Sequence, residues 1–121
     1  MARRALIALV TVWMISPAYA QDAASGETVF KRNCSICHSP EPGRTIIGPS
    51  LFGVLNRRSG NVPNFHYSEA NRKSGLTWNV GTLDRYLAAP QQLVPGTKMT
   101  FPGLGDPKQR ADLIAYLATL H

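Results

Sequence analysis

Apolar positions along this chain gather into four helical segments separated by two long tracts of proline and glycine. Near the C-terminus, Leu113, Tyr116, Leu117 and Leu120 recur at the 3.6-residue spacing of one buried helix face, and Ile114 widens the stripe. Asp106 can cap this helix and Pro107 suits its first position. Thr82 to Ala89 predicts another helix, with Leu83, Tyr86 and Leu87 on one side and Pro90 as its stop. Ser68 to Ser74 predicts a shorter one, opened by a capping serine and closed by Gly75. Upstream, Ser25 can cap a helix with Glu27 in its first turn, Val29, Phe30 and Ile36 as apolar members, and an end near Cys37. Prolines and glycines through Ser39 to Gly60 and Gln91 to Gly105 exclude a strand ladder there. With no two-residue alternation anywhere, the pattern predicts one all-α domain with long loops. Loops this long are unusual in a small domain. They make sense when wrapped around something that is not protein.

The first twenty residues follow a different logic. Arg3 and Arg4 precede an apolar run from Ala5 to Ile15 broken only by Thr11, and Ala18-Tyr19-Ala20 then leads into polar Gln21-Asp22. That order is the one of a secretory signal with a small-x-small cleavage site after Ala20. Eleven helical residues reach about 16 Å, short of the ~30 Å hydrocarbon core. An uncleaved anchor is the competing reading, and Pro17 interrupts the longer helix it needs. The expected organisation is a signal peptide over 1–20 and a working domain over 21–121, located in the periplasm. An apolar fraction of 44% disfavours disorder, and two cysteines are too few for a disulfide-stapled scaffold. The formal charge of +6 falls to +4 without the leader, eleven basic against seven acidic residues. Those basic residues are dispersed, with no run longer than two, which argues against a nucleic-acid binder.

Both cysteines lie in Cys34-Ser35-Ile36-Cys37-His38. Cys-x-x-Cys-His reads as covalent c-type haem attachment. Cysteines one helical turn apart face the same side, so each thiol can add to one of the two vinyl groups on a haem edge. His38 can then offer a neutral imidazole nitrogen to the iron. A redox disulfide would need a strand-helix context, and a zinc site a second Cys/His cluster, and neither is present. Met99 is the single methionine outside the leader, 61 residues after His38 in the loop Pro95-Gly96-Thr97-Lys98-Met99. His/Met ligation raises the potential of c-type haem. The competing reading has Met99 filling a gap in the core. His66 and His121 are the rival ligands, one in a loop and the other at the chain end.

With these residues in view the chain resembles class I cytochrome c, in the mitochondrial-like branch that includes the bacterial cytochromes c2. The resemblance rests on Cys34 to His38, Gly48-Pro49-Ser-Leu51-Phe-Gly53, Arg57-Arg-Ser-Gly60, Tyr67-Ser-Glu-Ala-Asn71 and Trp78. Tyr86-Leu-Ala-Ala-Pro90, the Met99 loop and Arg110 to Leu117 complete it. It implies the small cytochrome c fold, with about four to five helices wrapping one covalently bound haem c. It also implies that the Pro49 carbonyl accepts a hydrogen bond from His38 and so fixes the imidazole tautomer. Arg57, Tyr67 and Trp78 resemble the groups that meet buried haem propionates, which need donors or a cation in a low-dielectric site. Asn71, Tyr86 and Thr97 resemble a polar cluster beside the methionine sulfur. Gln91 and Gln92 stand where mitochondrial members usually carry partner-docking lysines, leaving Lys31, Arg32, Arg72, Lys73, Arg85 and Lys98 to make that face basic. The loop from Ser39 to Arg44 also differs slightly in length from the family pattern.

The function these residues predict is a monomeric one-electron carrier that exchanges electrons with redox proteins docking briefly at the haem edge. It is not an enzyme. Peroxidase chemistry or gas binding is the alternative, and would need an open or labile sixth position with a distal acid or base. Two ionised propionates would lower the charge of the holoprotein to about +2.

Overall fold

The computed structural model of the chain describes residues 21–121 and, before them, Thr11 alone. The predicted leader and its cleavage point therefore lie outside the described residues. Five helices follow in order: α1 (Ala23–Asn33), α2 (Glu69–Lys73), α3 (Val80–Ala88), α4 (Pro90–Leu93) and α5 (Pro107–Ala118). Among the described residues the only β features are two isolated bridges, His38 to Thr45 and Arg58 to Thr77. None of the described helices is long and apolar enough to cross a membrane.

Helix α1 starts earlier and ends earlier than its sequence suggests. Its cap is Asp22, whose carboxylate accepts from the Ala24 and Ser25 amides at 2.9 and 3.2 Å, while the Ser25 hydroxyl donates to the same carboxylate. An ionised carboxylate outcompetes a hydroxyl at the positive end of a helix. The helix stops at Asn33, so Ile36 lies beyond it and is 80% exposed rather than part of an apolar face. Helix α3 begins two residues before Thr82, because Asn79 and Thr82 exchange side-chain and backbone bonds at 2.9 Å in a capping box. Pro90 does end α3, but it also occupies the first position of α4, where its missing N–H costs nothing. That short helix replaces the start of the expected loop. Helices α2 and α5 match their sequence signals, with Ser68 and Asp106 as caps.

The core forms where α1 crosses α5 and α3 packs beside them. Phe30 meets Tyr116 with ring centroids 5.4 Å apart, and Leu113, Ile114 and Leu117 are buried between the helices. Gly26 makes the crossing possible, since a Cβ there would collide with the Asp112 carbonyl and press on Tyr116. Asp112 itself is buried, accepting from the Asp22 amide at 3.0 Å and from Lys108 Nζ at 2.7 Å. Arg110 ties α5 to α3 through Asp84 at 2.8 Å, and its guanidinium also donates to the Leu104 carbonyl. This helical frame holds up one wall of a cavity, and the long loops build the rest.

Candidate haem-binding site

The cavity has a volume of about 710 Å³, within the roughly 300–1,000 Å³ common for cofactor sites. Leu83, Leu87, Leu113 and Leu117 from α3 and α5 form its apolar floor. Cys34, Cys37 and His38 enter from the turn just after α1, where the Cys37 and His38 amides both donate to the Cys34 carbonyl at 3.0 and 2.9 Å. The thiols thus keep a one-turn spacing although the helix proper has ended. Both cysteines are free. Burial pushes the Cys34 thiol up to about 11, with Cys37 adding to the shift.

His38 is fixed through its ring nitrogen. Its Nδ1 lies 2.7 Å from the Pro49 carbonyl. A carbonyl can only accept, so Nδ1 carries the proton and a neutral ring keeps its lone pair on Nε2. Burial depresses the imidazole pKa, and the Arg57 charge acts in the same direction against the opposing pull of the Pro49 bond. Gly48 lets the loop lie flat on this ring, because a Cβ at that position would run into the imidazole. The Gly48 amide also donates to the Cys37 carbonyl at 2.7 Å, locking the loop to the cysteine turn.

Most of the other expected site residues line the same cavity. Trp78 is buried with its ring 4.7 Å from Tyr86, and the Tyr86 hydroxyl lies 2.8 Å from that of Thr97. Tyr67 stands edge-on to Phe65, and its hydroxyl accepts from the Val62 amide. Met99 is half-buried on the cavity wall. Asn71 is bound on the Ser59 and Ser68 side, its Oδ1 accepting from Ser68 Oγ at 2.7 Å, rather than hydrogen-bonded to Tyr86 or Thr97. Arg57 stands behind the lining, donating to the Ser50 and Phe52 carbonyls at 3.0 and 3.2 Å. His121 is exposed and away from the cavity, while His66 is exposed at its rim.

Three contributors escaped the sequence reading. Ser59 is buried on the cavity wall and donates to the Asn71 carbonyl at 3.0 Å. Ser68 was legible as a helix cap, but not as a partner of the Asn71 side chain. Gln91 was read only as a missing lysine. Its amide donates to the Thr97 carbonyl at 2.9 Å and reaches the Met99 carbonyl at 3.4 Å, bracing the methionine loop.

Two thiols on one turn, an imidazole with a free Nε2, a thioether and a deep apolar cleft are the donor set and container of a c-type haem. Residues 23–121 match the sequence profile of the cytochrome c family. The chain is 50% identical to cytochrome c2 of Rhodopila globiformis over 99 residues, spanning 82% of this chain and 93% of that one. It is 47% identical over 118 residues to cytochrome c2 of Rhodomicrobium vannielii, spanning 97% and 94%. Among solved structures, cytochrome cH from Methylobacterium extorquens matches with a TM-score of 0.77 and 46% identity, covering 81% of this chain and 98% of that one. The chain belongs to the cytochrome c family. It is a small electron carrier, not an enzyme, with one haem c bound covalently through Cys34 and Cys37.

Proposed function

We propose that the chain works in the periplasm as a monomeric one-electron carrier whose haem iron is held by His38 and Met99. The observation that carries this reading is the 2.7 Å bond from His38 Nδ1 to the Pro49 carbonyl, which leaves Nε2 as the free nitrogen of a ring held neutral by burial. The haem supplies the redox chemistry, its iron taking up and releasing one electron. The protein supplies the rest. Pro49 orients the imidazole and raises its donor strength. The loop braced by Gln91 presents Met99, a soft uncharged ligand that favours reduced iron. Leu83, Leu87 and Leu113 exclude water. Tyr67 and Trp78 would offer polar hydrogens to the propionates, with Arg57 as a cation behind them, while the Tyr86–Thr97 pair would form the polar surroundings of the sulfur and Asn71 stays tied to Ser59 and Ser68.

Residues 1–20 act in this reading as an export signal cut after Ala20. Support comes from the basic, apolar and small-residue order of that segment. The test of ligation is the near-red charge-transfer band of Met-ligated ferric haem in the purified holoprotein at neutral pH. Its presence is expected, and its absence removes Met99 as a ligand. Intact mass of the same sample reads both the cleavage point and the covalent haem.

A further inference from the structure

Large aliphatic side chains that cluster in water mark a surface that something covers. Ile36, Ile46 and Ile47 are 80, 45 and 69% exposed. They come together because the Gly48 amide bonds the Cys37 carbonyl and Thr45 bridges to His38, which sets the cysteine turn beside the 45–48 loop. Cys37 and Ile47 both line the haem cavity, so the patch borders its mouth.

The charges around this mouth decide what can sit on it. Among the described residues Lys98 is the only Lys, Arg, Asp or Glu in the lining, and its Nζ donates to the His66 carbonyl at 3.2 Å. The exposed lining residues Thr100 and Pro102 are uncharged. Arg44, one residue before the loop, is paired with Glu41 at 3.2 Å. Of the other cations expected to make this face basic, Lys31 and Lys73 pair with Glu27 and Glu69, and Arg32, Arg72 and Arg85 stand outside the cavity lining. A ring of carboxylates would find one lysine here and would lose hydration against three isoleucines. An uncharged apolar rim would find a match.

We infer that Ile36, Ile46 and Ile47 form the docking face for an electron-exchange partner that presents an uncharged, apolar rim around its own cofactor. This rests on the electron-carrier reading above and specifies the partner of the same site. Three side chains fall well short of the roughly 1,200 Å² that a stable interface buries, which suits a brief encounter rather than a dimer. Arg44, the basic residue beside the loop, is paired with Glu41, unlike the free Lys and Arg of a membrane-surface element.

Ferrous and ferric copies of the holoprotein can stand in for carrier and partner, because each offers the same apolar rim. The readout is the electron self-exchange rate from NMR line broadening at low and high salt. The unmodified protein is expected to change less than about threefold between roughly 0.01 and 0.5 M salt. Ile36→Lys and Ile47→Lys each slow exchange about tenfold or more at low salt, with partial recovery at high salt. Val80→Lys makes the same change at a site 53% exposed on α3 outside the cavity lining, and stays within about twofold of the unmodified protein. The docking face is overturned if the two Ile variants match Val80→Lys, or if the unmodified rate rises steeply with salt. It is equally overturned by a stable dimer in sedimentation velocity, or by binding to phosphatidylcholine vesicles that the Ile variants abolish. The near-red band is recorded on every sample. A missing band in the unmodified protein removes the His/Met carrier reading and the docking face with it, whereas an intact band with unaffected rates removes the docking face alone.

Discussion

The α1–α5 crossing and the loop wall around the haem cavity are built from opposite materials. The crossing is side chain against side chain, with Phe30, Leu113, Ile114 and Leu117 buried and Gly26 allowing the backbones to touch. The loop wall also sends Val54, Trp78, Val94 and Leu104 into the core. Its backbone, however, is held by hydrogen bonds between neighbouring loop segments, from Gly48 to Cys37, His38 to Pro49, Ser59 to Asn71 and Gln91 to Thr97. A helix pair carries its backbone bonding within itself, whereas a loop must find partners elsewhere. The first region is therefore held by side-chain packing and the second by hydrogen bonds, but Leu113 and Leu117 of α5 also line the cavity, so both lean on the group it encloses.

The sharpest way to break this contrast is to remove that group. Cys34→Ser with Cys37→Ser prevents covalent attachment, and the far-UV circular dichroism of the variant should lose most of its helix signal. Retention of native-like helix content would show that the crossing carries the whole fold alone. The next largest effect strikes the other region. Gly26→Val drives a side chain into the Asp112 carbonyl and should cost about 3 kcal/mol in guanidinium unfolding, with haem still attached.

A smaller effect separates the regions more finely. Gln91→Ala removes the brace on the Met99 loop, worth about 1 kcal/mol. The near-red band of this variant should fade at lower denaturant than its helix signal, whereas Gly26→Val should lose both together. The smallest effect belongs to the α1 cap. The bonds from Ser25 and Ala24 hold the exposed Asp22 carboxyl below its ordinary value. A carboxylate lowered by folding stabilises the fold above its unfolded pKa and loses that contribution as pH falls through the folded value. Acid titration of stability in Asp22→Asn should therefore be slightly flatter below the usual carboxylate range, and unchanged in slope near neutrality.

How much of this was legible in the sequence follows the same division. Helix α5 could be placed from Asp106, Pro107 and the 3.6-residue stripe, because those signals are local and agree. Boundaries slipped where two local signals competed, as when Asp22 took the cap from Ser25 and Pro90 opened a helix while closing another. Ile36 was misplaced because continuing α1 past Asn33 looked natural, yet the Cys34 carbonyl is taken up by a turn. At the site, Cys34, Cys37 and His38 announce themselves by spacing, and Gly48-Pro49 by family resemblance. Gln91 and Ser59 could not be found that way. Their bonds reach backbone carbonyls six and twelve residues along the chain, and carbonyls carry no sequence signature.

The Asp22 amide bonded to Asp112 has a consequence for anyone who makes this protein. The bond joins the first turn of the described fold to its last helix, and the Asp22 side chain also caps α1. A production leader or affinity tag can be exchanged freely only up to Gln21. A protease scar that replaces Asp22 removes the α1 cap, and a proline there also removes the amide that bonds Asp112, whereas trimming to Asp22 turns that amide into an ammonium facing the Asp112 carboxylate. Samples that differ by one residue at the N-terminus would then melt differently while carrying the same haem.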